Sequence, residues 1–247
     1  MNAPEWLIDR PIAHRGLHGV GIGENSRAGA QAAIKAGFAI ECDIQLSADG
    51  EAMVFHDERL ERLTNGAGEV SAQSAAALAA LHLRIGGEPI PTLAQFLAVI
   101  DAGAPVICEI KSSFSGDLSL ARRALALARD YAGPLAFKSF DPQIIAYLRA
   151  QRSPPPLGIV AQANYDDDDW RLLTLEQKRD CANFLHFERT RPDFLSWSVA
   201  DLPHPTPFLL RSLQKLPVMV WTVRAPAQRE TAKSWADQIV FEGAGRP

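Results

Sequence analysis

The stretch AIECDIQLSADGEAMVFHD, Ala39–Asp57, decides the fold. Its first half is an apolar run that carries Glu41 and Asp43 two positions apart. In an extended strand, residues two apart share a face, so both carboxylates enter one cavity while Cys42 points the other way. The turn-forming Ser47-Ala48-Asp49-Gly50 follows, and Glu51–His56 reads as the returning arm of a hairpin. Centring the turn on those four residues places His56 opposite Glu41, about 5 Å away across the pair.

The same design recurs outward from this stretch. Pro105–Lys111 is an apolar run that ends on Glu109 and Lys111, again two apart, with Cys108 on the opposite face. Pro11–Gly16 ends on His14-Arg15-Gly16. Further strand-like runs lie at Leu135–Ser139, Leu157–Ala161, Phe194–Ser198, Val218–Val223 and Gln238–Glu242, which brings the total to eight. Helical patterns fill the gaps: Ser26–Ala36, Leu93–Ala102, Leu118–Tyr131, Pro142–Gln151, Trp170–Arg179, Thr206–Leu216 and Ala227–Trp235. Asn25 and Asp141 read as N-caps, the second followed by proline at the first helical position. Strand and helix in alternation specify a parallel sheet, and eight such units close a (β/α)8 TIM barrel.

The hairpin arm is outside that count of eight. The segment 58–91 after it reads as a small insertion with an Ala-rich helix near Ala72–Leu83. It is too short for a core of its own and suits a lid or wall over the barrel mouth. There is no internal repeat, and Pro154-Pro155-Pro156 is a stiff connector within one domain spanning 1–247.

Composition removes several classes of function. A chain of 247 residues, 47% hydrophobic, can bury a sizeable core, and its net charge of −4 gives no general attraction to nucleic acid or anionic membrane. Any anion must therefore be held locally. The first ten residues carry Glu5, Asp9 and Arg10 and lack the apolar core of a signal peptide, and no apolar run reaches the length of a membrane span. Three cysteines without metal-type spacing argue against a disulfide framework; Cys42 and Cys108 read as small residues packed under helices, and a reduced cytoplasmic protein is the simplest expectation.

Three carboxylates converging at strand ends, Glu41, Asp43 and Glu109, repel one another. They are stable together if protonated, salt-bridged to Lys111 and Arg15, or holding a cation, and all-oxygen ligation favours Mg²⁺ or Ca²⁺. His14 and His56 can divide general-acid and general-base work near neutrality, and Arg15 and Lys111 can neutralise phosphoryl oxygens. Three carboxylates with one phosphodiester total about −4, and a divalent ion with Arg15 and Lys111 about +4. These are the parts of a metal-assisted phosphodiesterase. Other candidates are set aside: Asp166–Asp169 reads as an acidic helix start, His18, His82, His186 and His204 have no companion motif, and Lys138 alternates away from Ser139. Trp221 is either barrel packing or a wall for part of the substrate.

In order, the motifs are Ala13-His14-Arg15-Gly16, Glu24-Asn25-Ser26, Glu41-x-Asp43, Asp49-Gly50, Phe55-His56-Asp57, then Leu60, Arg62, Thr64, Gly66 and Gly68, Pro91-Thr92-Leu93, Glu109-x-Lys111, Ser139-Phe140 and Trp221-Thr222-Val223. This string resembles the glycerophosphodiester phosphodiesterases of the phosphatidylinositol-phospholipase-C-like barrel superfamily, over nearly the whole chain. The resemblance implies metal ligands Glu41, Asp43 and Glu109, acid/base histidines His14 and His56, and phosphate contacts from Arg15 and Lys111. Family members often follow Trp-Thr-Val with Asn and end on a strand carrying Thr-Asp before a proline; here the corresponding residues are Arg224 and Phe241-Glu242.

The expected activity is metal-dependent hydrolysis of a small-molecule glycerophosphodiester to glycerol 3-phosphate and an alcohol. A lysophospholipase D or phospholipase-C-like activity on an acyl-bearing substrate is the alternative, and it needs an apolar rim; Leu17, Leu60, Phe114 and Phe140 appear only as isolated candidates. A non-catalytic phosphate-binding barrel is the third reading, and it predicts a lost histidine or ligand, whereas none is missing.

Overall fold

The computed structural model describes residues 3–247. Among the described residues nine strands form one sheet: β1 Ile12–Ala13, β2 Ala39–Leu46, β3 Ala52–Val54, β4 Val106–Ile110, β5 Leu135–Ser139, β6 Leu157–Ala161, β7 Phe194–Ser198, β8 Val218–Val223 and β9 Gln238–Phe241. Their order is β1-β9-β8-β7-β6-β5-β4-β2-β3, and β1 also pairs with β2. Eight strands therefore close on themselves with β3 outside the ring, the topology of the expected (β/α)8 barrel. Contact density divides the chain into two compact units. One comprises Ala13–Lys111 and Leu118–Leu135, and the other the remaining segments.

In the first unit, β2 and β4 run parallel with Asp43 beside Glu109 and Cys42 beside Cys108. Both cysteines are buried and free, as expected of the face turned from the carboxylates. β1 is shorter than its apolar run because Arg15 and Gly16 take positive φ, 56° and 78°, which ends the extended backbone. Gly16 is required there, since a Cβ would lie 2.9 Å from the Gly29 carbonyl carbon.

The hairpin register differs from the expected one by a residue. Ile44 pairs with Val54 and Leu46 with Ala52, and the strand ends at Val54, before His56. Ser47 and Glu51 close a three-residue loop, with the Ser47 amide donating to the Glu51 carbonyl and Gly50 at φ +85°. A left-handed glycine at the end of a three-residue loop is a standard hairpin solution. Asn25 is not the cap of the helix Arg27–Lys35; Ser26 is, its hydroxyl accepting from the Gly29 amide.

The insertion also departs from expectation. Leu60, Val70, Leu78, Leu83 and Ile90 pack around Met53 and Phe55 of the hairpin arm, a small core shared with β3. Its helix is only Ala75–Ala79, because Ser74 caps it and Val70–Ala72 forms a separate 3-10 turn.

In the second unit, β5 to β9 run parallel in sequence order. Asp141 caps the helix Pro142–Arg149 as expected. The helix expected over Trp170–Arg179 starts later, at Leu175, where Thr174 and Gln177 form a capping box. Asp167 instead caps a 3-10 turn that holds Trp170 against Phe140 and Tyr165.

His186, set aside for want of a companion motif, is buried against Phe184 and beside Thr190 Oγ1. Burial first, and Arg189 second, push its imidazole down to about 4. A folded value below the unfolded one gives stabilisation that is complete above about pH 6.5 and is lost as pH falls through about 4, up to about 3 kcal/mol. His186→Gln is expected to flatten the fall in Tm between pH 7 and pH 4; equal slopes in the two proteins would show that His186 is not buried neutral.

Candidate active site

The first unit gathers seven of the eight expected site residues. Glu41, Asp43 and Glu109 are buried, and one carboxylate oxygen of each lies within 4.8 Å of the others, a group that can hold a metal ion. Alternation along β2 and the Asp43–Glu109 register put them there.

Each carboxylate is held. The Arg15 amide donates to Glu41 Oε2 at 3.0 Å, and His14 Nε2 lies 3.8 Å from the same oxygen. Asn25 Nδ2 donates to Asp43 Oδ2 at 3.0 Å while its Oδ1 accepts from the Asp43 amide. Freed from capping by its positive φ, Asn25 braces the central carboxylate. Lys111 Nζ reaches Asp43 Oδ1 at 2.9 Å and Glu109 Oε1 at 2.7 Å. Burial opposes ionisation of Asp43, but Lys111, His56, Arg15 and His14 outweigh it and hold the carboxyl well below its usual range. Burial likewise opposes the charge on Lys111, and Asp43 and Glu109 overcome it to raise the ammonium above its ordinary value.

A second layer was legible as motif residues but not assigned to the site. Asp57 Oδ1 meets His56 Nδ1 at 2.7 Å. Arg62 donates to both oxygens of Asp57, at 2.6 Å each, and to both oxygens of Glu24, at 3.0 and 3.1 Å. Glu24 Oε1 also accepts from Arg15 Nη1 at 2.7 Å, and Arg15 Nε lies 3.5 Å from Asp43 Oδ2. Burial raises the Asp57 carboxyl, and the bonds from Arg62 and His56 bring it far below its usual value.

The network joins five carboxylates, Glu24, Glu41, Asp43, Asp57 and Glu109, to three permanent cations, Arg15, Arg62 and Lys111. Salt-bridging by Arg15 and Lys111, the alternative to metal binding, is thus present but incomplete. Two negative charges remain in excess, the charge that a divalent cation neutralises, and the donors are oxygens suited to a hard ion.

Trp221 lies in the second unit on β8, where its indole N–H donates to the Ser196 carbonyl at 3.0 Å and its ring meets Phe140 edge-on. Phe114 and Phe140 are not isolated: both contact Trp170, with centroids at 6.1 and 4.8 Å, and Trp170 contacts Tyr165. Leu60 is buried in the insertion core and offers no rim. Of the residues that depart from the family string, Arg224 and Glu242 form an ion pair with each other at 2.7 Å. His204, also set aside, caps the helix Pro205–Gln214 and stacks on Trp197.

A model of the Glycerophosphoryl diester phosphodiesterase family matches residues 14–241. A glycerophosphodiester phosphodiesterase of Caldanaerobacter subterraneus subsp. tengcongensis is 38% identical over 109 residues, 41% of this chain and 44% of the relative's length. The chain thus matches less than half of that relative. A phosphodiesterase of Oleispira antarctica, solved in complex with the product sn-glycerol-3-phosphate, has a TM-score of 0.78 at 21% identity, covering 97% of this chain and 94% of that one. A glycerophosphodiester phosphodiesterase from Parabacteroides distasonis has a TM-score of 0.74 at 20% identity, over 94% and 92%. At these identities the solved structures establish the shared fold. Among the described residues, no helix is long and apolar enough to cross a membrane.

Proposed function

Since the chain belongs to the glycerophosphoryl diester phosphodiesterase family, with 14–241 matching its model, we propose that it hydrolyses water-soluble glycerophosphodiesters to glycerol 3-phosphate and an alcohol. The observation that carries this reading is the buried Glu41–Asp43–Glu109 group, with His14 Nε2 3.8 Å from Glu41 and His56 bonded through Nδ1 to Asp57. The product bound in the Oleispira antarctica phosphodiesterase supports the glycerol 3-phosphate half of the assignment.

Glu41, Asp43 and Glu109 would hold a divalent cation, Mg²⁺ or Ca²⁺, which supplies Lewis-acid stabilisation of charge on the phosphoryl group. Arg15 and Lys111 hold phosphoryl oxygens and disperse their charge. His14 and His56 move the two protons that the reaction needs, one from the attacking oxygen and one to the leaving alkoxide. Asp57 bonds His56 Nδ1 and so presents Nε2 to the substrate.

A second reading draws on the second unit. The contiguous, half-exposed rings of Phe114, Phe140, Trp170 and Trp221 are the kind of apolar surface that an acyl-bearing substrate requires. Each ring already covers the edge or face of another, and the water-soluble diester remains the first reading.

The test is release of glycerol 3-phosphate from a panel of diesters, with and without chelator. Activity is expected to vanish with chelator and return with Mg²⁺ or Ca²⁺. Glycerophosphocholine or glycerophosphoethanolamine is expected to show higher kcat/KM than lysophosphatidylcholine held below its micelle concentration. The reverse order moves the assignment to a lysophospholipase D.

A further inference from the structure

Arg62 stands on the insertion, half-exposed, 38 residues from Glu24 and five from Asp57. Its guanidinium is used on two edges. Nε and Nη2 grip both oxygens of Asp57, while Nη1 and Nη2 grip both oxygens of Glu24. Beyond Asp57 lies His56 Nδ1, and beyond Glu24 lies Arg15. One planar cation therefore joins a candidate proton-transfer residue to a candidate phosphate-contact residue through two carboxylates.

From this geometry we infer that Arg62 is a positioning residue for the site, fixing His56 through Asp57 and Arg15 through Glu24; the inference rests on the catalytic reading of His56 above. The physical reasons are three. A carboxylate that bonds one imidazole nitrogen selects the tautomer and ring orientation presented at the other. A carboxylate can do so only if it is itself held, and two parallel N–H bonds from a fork hold its plane as well as its charge. Lysine carries the same charge but has no fork, so it cannot grip two carboxylates in two planes at once. An exposed ion pair contributes little to stability, so the effect of Arg62 is geometric and shows in turnover more than in Tm. The insertion then has a function that neither lid nor wall describes: the small core it shares with β3 presents Arg62 to the site.

The experiment compares wild type with Arg62→Lys, Asp57→Asn, Glu24→Gln, the Arg62→Lys/Asp57→Asn double variant and His56→Ala, as the full chain in saturating Mg²⁺ or Ca²⁺ with glycerophosphocholine. Histidine ¹⁵N spectra report the His56 tautomer. Arg62→Lys is expected to lower kcat about tenfold or more and to raise KM, with Tm nearly unchanged. Asp57→Asn should reproduce the loss in kcat, and Glu24→Gln the rise in KM. The double variant should be no slower than Asp57→Asn alone, because both act through one contact. The Nδ1-protonated tautomer of His56 should dominate in wild type and lose that dominance in Arg62→Lys. Wild-type kcat and an unchanged tautomer in Arg62→Lys, beside an inactive His56→Ala, would overturn the positioning role alone. Full turnover in His56→Ala would overturn the catalytic reading itself, and the inference with it.

Discussion

Asp43→Ala is expected to lower kcat/KM about a thousandfold or more while the barrel still folds. Asp43 is the centre of the charged group: Lys111 and Asn25 bond its two oxygens, and Arg15 approaches one of them. Removing it halves the two-charge excess that favours a divalent ion and leaves Lys111 paired with Glu109 at 2.7 Å. Glu41→Ala and Glu109→Ala should act in the same direction, since each deletes one of three converging carboxylates. Asp43→Asn keeps the shape and loses the charge, so it separates electrostatics from packing and is expected to be nearly as inactive as the alanine variant. The check is a cation titration of activity in each variant, with circular dichroism to confirm the fold. Full activity of metal-stripped wild type in chelator would falsify the cation site and leave Glu41, Asp43 and Glu109 as a salt-bridge network with Lys111 and Arg15.

His14→Ala and His56→Ala are each expected to cost on the order of a hundredfold or more in turnover. The two side chains are held differently. His14 is buried with Nε2 near Glu41, whereas His56 is half-buried and bonded through Nδ1 to Asp57. In the proposed mechanism each serves one of the two proton transfers, and loss of either leaves the other with little to accelerate. The double variant should therefore lose much less than the product of the single losses. Single-turnover rates at saturating diester measure this directly. Near wild-type turnover in either single variant removes that histidine from the mechanism.

The site was more legible than its support. Glu41, Asp43, Glu109 and Lys111 could be placed on shared faces from the period of two alone, because strand geometry is local. The eight strand positions were legible for the same reason, and the Asp141 cap because its hydroxyl-free carboxylate precedes proline at the first turn. Errors arose where two signals competed. Asn25 and Ser26 are both good caps, and the neighbouring Asp43 claimed Asn25. Trp170 looked like the first residue of a helix, and aromatic packing on Phe140 and Tyr165 took it out. The hairpin register slipped by one because a four-residue turn and a three-residue loop ending on glycine share the residues Ala48 to Gly50.

Local rules in the chain determined which residues become strands, where the carboxylates fall along them, and which family string they spell. Only the tertiary structure decided that Glu24, Arg62 and Asp57 form a continuous support behind Arg15 and His56. The reason is physical. A contact such as that between Glu24 and Arg62 joins positions 38 residues apart, with no periodicity linking them, and it exists because the insertion core fixes where the loop carrying Arg62 lies.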